Sequence, residues 1–480
     1  MSMSKSQTLA QNNFSLNQPK SLRTLFFTEM WERFSYYGMR ALLVLYLVKS
    51  QNYSELDAIH IYAIYTGLVY LTPIIGGYLS DRYLGQQKAI LIGGITMMLG
   101  HLFMAIPSLL NLALGMLIIG NGFFKPNISS LLGKFYGNDD PRRDGGFSFF
   151  YIGINIGAFI APLLIGYVGE TISWHYGFSI AALGMFIGLF HFAINQSQIV
   201  TDDLTKTSYF LTFKDWRTVI GISILNIPIV LAILEIHHLM GKFQNLILFA
   251  LLLMGLYFIF KKRDAILSIP TREFKSIIYI AVLSLFVIFF WMGFEQAGGT
   301  LTLFASDRID RNIGETLIPA SSFQSINPLI IIFLGPFLAS FWMRVDQGKY
   351  QISTSRKMSL GLILLGLGFL LLAIINHSFD VKINLWWLVA VYFLHTLGEL
   401  CLSPIGLSMV SKVSPKKLLS LMMGFWFLSS AIANYAAGRL PALLSYFDMD
   451  LFFFLTLSSL IAGFILFFMA PFLERLIYKK

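Results

Sequence analysis

The chain has 480 residues, 56% of them hydrophobic and only 12% charged, with 35 Lys and Arg against 25 Asp and Glu. Soluble domains carry roughly twice that charged fraction, and apolar runs of roughly 20 residues, enough to cross a bilayer, recur from residue 24 to residue 478. A soluble globular protein is therefore excluded, and so is a transmembrane barrel, whose alternating strands of about 10 residues are absent.

In chain order, residues 1–23 are polar and lack the apolar core of a signal peptide, so they read as a short cytoplasmic tail. Fourteen spans follow: 24–48, 58–80, 88–108, 110–133, 147–168, 176–195, 217–239, 243–261, 275–304, 318–343, 356–377, 384–410, 417–440 and 450–472. With both termini inside the cell, 26 of the 35 Lys and Arg fall in inside segments and six outside, which are Lys49, Lys242, Arg308, Arg311, Lys382 and Arg439. That asymmetry is the positive-inside rule, and removing one span would invert every later loop. It also accounts for the net charge of +10 without nucleic acid. The lone cysteine, Cys401, excludes an internal disulfide and suggests no Cys-based metal site.

Arg33, Arg40 and Lys125 remain within the membrane. The first span reads EMWERFSYYGMR over residues 29–40. At 100° per residue, Glu29, Glu32, Arg33, Tyr36, Tyr37 and Arg40 share one face about 140° wide. Each charge at the bilayer centre costs on the order of 2.5–3.5 kcal/mol, and the i, i+3 and i, i+4 spacing lets acids and bases offset one another. Arg40 lies about 24 Å into its span at 1.5 Å per residue, too deep for snorkelling from the inside face. Span four adds Lys125, span nine Glu295 and span twelve Glu399. Cations in the first half and acids in the second predict a dipolar cavity suited to a zwitterion.

Spans seven and eight are nearly free of polar chemistry. Residues 217–262 read as a hairpin inserted between a six-helix bundle at 24–195 and another at 275–480, with linkers at 196–216 and 263–274. Two six-helix halves around a midplane site is the all-α architecture of major facilitator transporters. The loop GGYLSDRYLGQQK at 76–88 resembles the cytoplasmic loop motif of that superfamily in Gly77, Asp81, Arg82, Gly85 and Lys88. Its glycines let helices approach closely, and Asp81 is expected to pair with a cationic neighbour.

EMWERFSYYGMR resembles the E-x-x-E-R-F-x-Y-Y-G motif of the proton-dependent oligopeptide transporter (POT/PTR) family. GNGFFKPNISSLLGKFYG, the stretch DDPRRDGGFSFFYIGINIGAFIAPLLIGYVGE, and FFWMGFEQ, SSFQSINPL and GELCLSPIGLSMVSKVSP are similar to the family's other signature stretches, and the resemblance covers about residue 22 to the end. It implies a proton-coupled importer of di- and tripeptides in the cell (inner) membrane, working as a monomer without a cofactor, with peptide and proton as co-substrates. By the resemblance, Glu29, Glu32 and Arg33 couple protons, and Lys125 and Glu295 form a charge pair that protonation breaks. Glu399, Asn155 and Asn327 hold the peptide amino group; Arg33, Arg40, Tyr36, Tyr37 and Lys125 surround its carboxylate. Tyr70 and Trp426 shape side-chain pockets, and Ser403 and Glu295 complete the substrate site. Within span two the one histidine, His60, lies near its start and none lies deeper, so by the resemblance the carboxylates carry the coupling. A carrier of another small anion or zwitterion, such as nitrate or an amino acid, is the alternative; it would want the cationic wall without Glu399. An enzyme finds little support: GLG at 366–368 follows no strand, and no histidines have metal spacing. His101 and His395 read as packed, hydrogen-bonded residues.

Overall fold

A computed structural model describes residues 18–136, 140, 142–199, 270–347, 351–378, 382–415 and 418–478, with single positions at 213, 217 and 221. The expected inserted hairpin, and most of both linkers beside it, lie outside the described residues. The helices are α1 (Lys20–Lys49), α2 (Glu55–Leu79), α3 (Gln86–Met104), α4 (Leu110–Lys134), α5 (Arg143–Thr171), α6 (Trp174–Ile194), α7 (Thr271–Phe294), α8 (Thr300–Asp307), α9 (Ile326–Gln347), α10 (Thr354–Ser378), α11 (Leu385–Val413), α12 (Leu419–Tyr446) and α13 (Leu451–Tyr478). Among the described residues ten helical segments are long and apolar enough to cross a membrane. The protein is a multi-pass helical membrane protein.

Helix ends follow local chemistry. Ser54 Oγ accepts the Asp57 N–H at 3.1 Å and starts α2, and Asn384 Oδ1 accepts the Trp386 N–H at 3.0 Å and starts α11. Prolines lie inside α2, α4, α5, α9, α11, α12 and α13, positions that membrane helices tolerate because neighbouring helices satisfy the freed backbone. The expected continuous span at 275–304 is broken: α7 stops at Phe294, a 3-10 turn covers Glu295–Gly298, and α8 resumes at Thr300. The Gly298-Gly299 pair lacks the side-chain constraint that would keep the helix regular. Span ten likewise opens with a 3-10 turn at Ala320–Ser325 before α9.

Two bundles result. In the first, α1 packs on α5 and α6, α3 on α4 and α6, and α2 on α4. Glycines make the approach possible: a Cβ at Gly76 would strike the Gly122 carbonyl, and one at Gly93 would meet Gly120. In the second, α10 packs on α11 and α13, α7 on α12 and α13, and α9 on α11. The bundles meet where α2 crosses α12 and where α5 faces α9 and the 3-10 turn before it.

The loop motif takes its turn through a π-helical segment at Ser80–Leu84 and through Gly85, whose φ of 75° suits glycine. Lys88 is buried there. Asp81 does not find its expected cationic partner: it is exposed, and among the described residues it makes no ion pair, while Arg82 binds Tyr78 Oη at 2.8 Å. The helix end turns Asp81 to the surface.

Gly438 of α12 sits so close to Ala63 of α2 that any Cβ would collide with the alanine methyl. Gly438→Ala is expected to lower stability by about 1–3 kcal/mol, the usual range for overpacking, and adding Ala63→Gly should recover most of it. Thermal unfolding of the purified protein in detergent checks this; a Gly438→Ala protein as stable as the parent would contradict the close crossing.

Candidate functional site

The charged face of α1 turns inward as its spacing predicts. Glu29, Glu32 and Arg33 are each at most 2% exposed. Arg33 Nε lies 3.1 Å from Glu29 Oε1 and also donates to Glu32 Oε2. Asn121 of α4 donates to the other Glu32 oxygen at 3.4 Å. The Arg33 guanidinium lies 5.2 Å from the Tyr36 ring centre, within cation–π range. The two acids and their arginine form one compact cluster, which is how three charges are tolerated in a helix core.

Two turns further along α1, Arg40 reaches into the second bundle. Its Nε donates to Tyr62 Oη of α2, and its Nη2 bonds Glu295 Oε2 at the break after α7. The planar fork of arginine suits holding both partners at once. This pair ties the bundles together. It also corrects the sequence expectation: Glu295 pairs with Arg40 and not with Lys125. Lys125 Nζ stands 4.5 Å from the Tyr70 ring centre instead.

Below the Arg40–Glu295 tie lies a cavity of about 330 Å³ between the bundles. Ten of the residues singled out from the sequence line it: Tyr37, Arg40, Tyr70, Lys125, Asn155, Glu295, Asn327, Glu399, Ser403 and Trp426. Arg33 and Tyr36 do not; they are buried behind the wall, where Tyr36 stacks on Tyr65 at 6.4 Å. Neither lines the cavity in this conformation: Arg33 lies against Gly157 of α5 and Tyr36 against Tyr65 of α2, and of this face only Tyr37 and Arg40 reach the cavity. On the opposite wall Asn327 Nδ2 donates to Glu399 Oε2 at 2.7 Å and to Thr396 Oγ1 at 3.1 Å. Asn155 Nδ2 donates to the Tyr151 carbonyl at 2.9 Å. Ser403 Oγ is buried without a hydrogen-bond partner, a polar atom free for a ligand. Arg40 and Lys125 thus face Glu399 and Asn327 across a space lined mainly by aromatic and aliphatic side chains.

The cavity is asymmetric along the membrane normal. Its lining runs through Tyr151, Leu407 and Phe427 toward the end that carries both termini. At the other end the bundles are joined by Arg40–Glu295, by Lys49–Ser306 and by the Phe159 carbonyl accepting Ser325 Oγ at 2.7 Å. The sequence did not single out the cavity aromatics Tyr151, Trp291, Phe294 and Tyr392, nor Tyr62 and Asn121 behind the wall. Apart from Tyr151, at i−4 from Asn155, the aromatics carried no signal that separates a cavity residue from one packed in the core. His101 and His395 are packed as expected, but neither ring nitrogen of His101 and not Nε2 of His395 has a hydrogen-bond partner.

Two six-helix bundles closing around a central polar cavity define a membrane transporter of the major facilitator fold. A family model described as the POT family matches residues 87–460. The peptide transporter YePEPT of Yersinia enterocolitica is 36% identical over 88% of this chain and 87% of its own length. A di-/tripeptide transporter of Lactococcus lactis is 34% identical over 94% of both chains. A crystal structure of a POT peptide transporter in complex with sulfate superposes with a TM-score of 0.83 at 34% identity, covering 97% of this chain and 99% of that one. The chain belongs to the POT family, whose solved neighbours are transporters and not enzymes.

Arg40→Lys keeps the charge, but one ammonium on a flexible stem cannot reproduce the planar fork that holds Tyr62 and Glu295. Losing one hydrogen bond to a charged group removes about 1.5–3 kcal/mol, so transport should fall roughly tenfold or more at unchanged protein level in the membrane. Uptake by cells expressing equal amounts of variant and parent measures it; an unchanged rate would contradict the two-partner role.

Proposed function

We propose that this protein imports di- and tripeptides together with protons across the cytoplasmic membrane by alternating access, acting as a monomer with both termini in the cytoplasm. The single observation that carries the reading is the two-walled cavity. Arg40 and Lys125 form a cationic wall on the first bundle, and Glu399 with Asn327 forms an anionic one on the second. A free peptide ends in one ammonium and one carboxylate, so such a field orients it along the gap. Small anions need only the cationic wall, which leaves Glu399 unexplained.

In this reading the units at 24–195 and 275–480 rock about the site. The cation distribution along the sequence assigns the termini-bearing end to the cytoplasm, so the conformation described above is inward-open. Glu29, Glu32 and Arg33 handle the proton behind the wall. A proton on Glu295 would remove its negative charge and weaken its hold on Arg40, freeing the guanidinium for the substrate carboxylate and letting the closed end part. One proton crossing 100 mV supplies about 2.3 kcal/mol, and one pH unit adds about 1.4 kcal/mol. Together these support roughly a 500-fold peptide gradient.

The test uses the amino-terminal contact. Glu399→Gln is expected to weaken competition by dialanine at least tenfold, the scale of one charged hydrogen bond, while changing competition by N-acetyl-dialanine little. Competition against a labelled dipeptide in proteoliposomes reads both. Equal weakening for the two ligands would assign Glu399 some role other than holding the free amine.

A further inference from the structure

Glu170 ends the sequence stretch GYVGE near the last turn of α5, and the proposed transport chemistry gives it no part. In the structure it crosses to the other bundle. Its Oε2 accepts the backbone N–H of Ala320 at 2.9 Å, and its Oε1 accepts both the backbone N–H of Ser321 at 2.8 Å and the Ser321 hydroxyl at 2.6 Å. Arg311 Nη1 stands 3.8 Å from Oε2 and is itself held by donating to the Ile318 carbonyl at 2.7 Å. One carboxylate thus takes three hydrogen bonds from the first residues of a helical turn, whose exposed N–H groups attract negative charge.

The neighbouring backbone is shaped to allow this. One turn earlier on α5 lies Gly166, where any Cβ would collide with Ser321 Oγ. Ala320 and Ser321 are wholly buried by the contact. The bonds join α5 of one bundle to the segment leading into α9 of the other. They lie at the end of the molecule where the cavity is shut.

We propose that Glu170 is the latch of this closed end, a positioning residue that holds α5 against the start of the α9 segment and must release Ala320 and Ser321 each time the cavity opens there. Charged hydrogen bonds to backbone donors are strong and directional. Two bundles joined by a few such bonds can part cleanly and rejoin in the same register. The latch acts on the balance between the two conformations, so its loss favours the state open at the α1–α2 end. In uptake, which rests on the peptide-symport reading, that shift lowers the maximal rate and also lowers the apparent KM from that side, because the binding-competent state becomes more populated.

The test does not need a substrate. A reporter cysteine replaces Ala297 in the cavity wall, in a Cys401→Ser background, in full-length protein in proteoliposomes. A membrane-impermeant thiol reagent is added on the side of the α1–α2 loop. Glu170→Ala and the isosteric Glu170→Gln are both expected to raise the labelling rate roughly tenfold, the scale of one charged hydrogen bond. Gly166→Ala, which drives Ser321 away without touching the carboxylate, should do the same. Ser321→Ala removes one bond of three and should give a smaller rise, and adding it to Glu170→Ala should give no further one. Labelling at the parental rate in the Glu170 and Gly166 variants would overturn the latch. If the Glu170 variants fail to fold, Gly166→Ala and Ser321→Ala still decide it. Altered labelling without peptide uptake would retain the latch and overturn the peptide reading.

Discussion

Everything about this molecule turns on a buried ion pair between bundles. Arg40 lies in the middle of a helix that crosses the membrane, and its partner Glu295 lies 255 residues away in sequence, at the point where α7 loses its helical path. Removing one partner of such a pair leaves an uncompensated buried charge, at a cost of about 3–5 kcal/mol. The bundles can therefore separate at this level only if something replaces the lost interaction. A proton on the acid and an anion on the arginine are the two natural replacements. Both residues line the cavity, so in the proposed function energy coupling and substrate binding meet at one spot.

The remaining charges serve this arrangement from behind. Arg33 is held between Glu29 and Glu32, so the cluster is compact and sealed from the cavity. Lys125 lies between that cluster and the open space, over the ring of Tyr70. A change of protonation in the cluster alters the field at Lys125 without any residue of the cluster touching the ligand. On the second bundle the Asn327–Glu399 contact holds the acid in place at the cavity wall, which in the proposed function leaves less ordering for the moment of binding.

Much of this was legible in the sequence. Alternation of apolar spans with basic loops gave the twelve described spans near their observed edges, and the 100° periodicity of residues 29–40 gave the inward face of α1. Ten cavity residues followed from charge placement and family resemblance. What escaped depends on how distant helices pack. Arg40, not Lys125, meets Glu295 because α2 and α12 bring Tyr62 beside the helix break. Asp81 looked like an ion-pair partner, yet its turn faces outward. Nothing in the sequence singles out Glu170; only the three backbone and side-chain donors aimed at it from the other bundle set it apart. Two glycines at 298–299 could have announced the broken helix, but glycine pairs are also common where membrane helices merely touch.

The most direct measurement of the central claim is uptake of labelled dialanine into proteoliposomes holding the purified protein, under an inward proton gradient and an inside-negative potential. The account predicts accumulation well above the outside concentration, collapsed by a protonophore. Equilibration that ignores the gradient would contradict proton coupling through the buried charges, and no uptake of dialanine or of other short peptides would contradict a cavity built for a peptide.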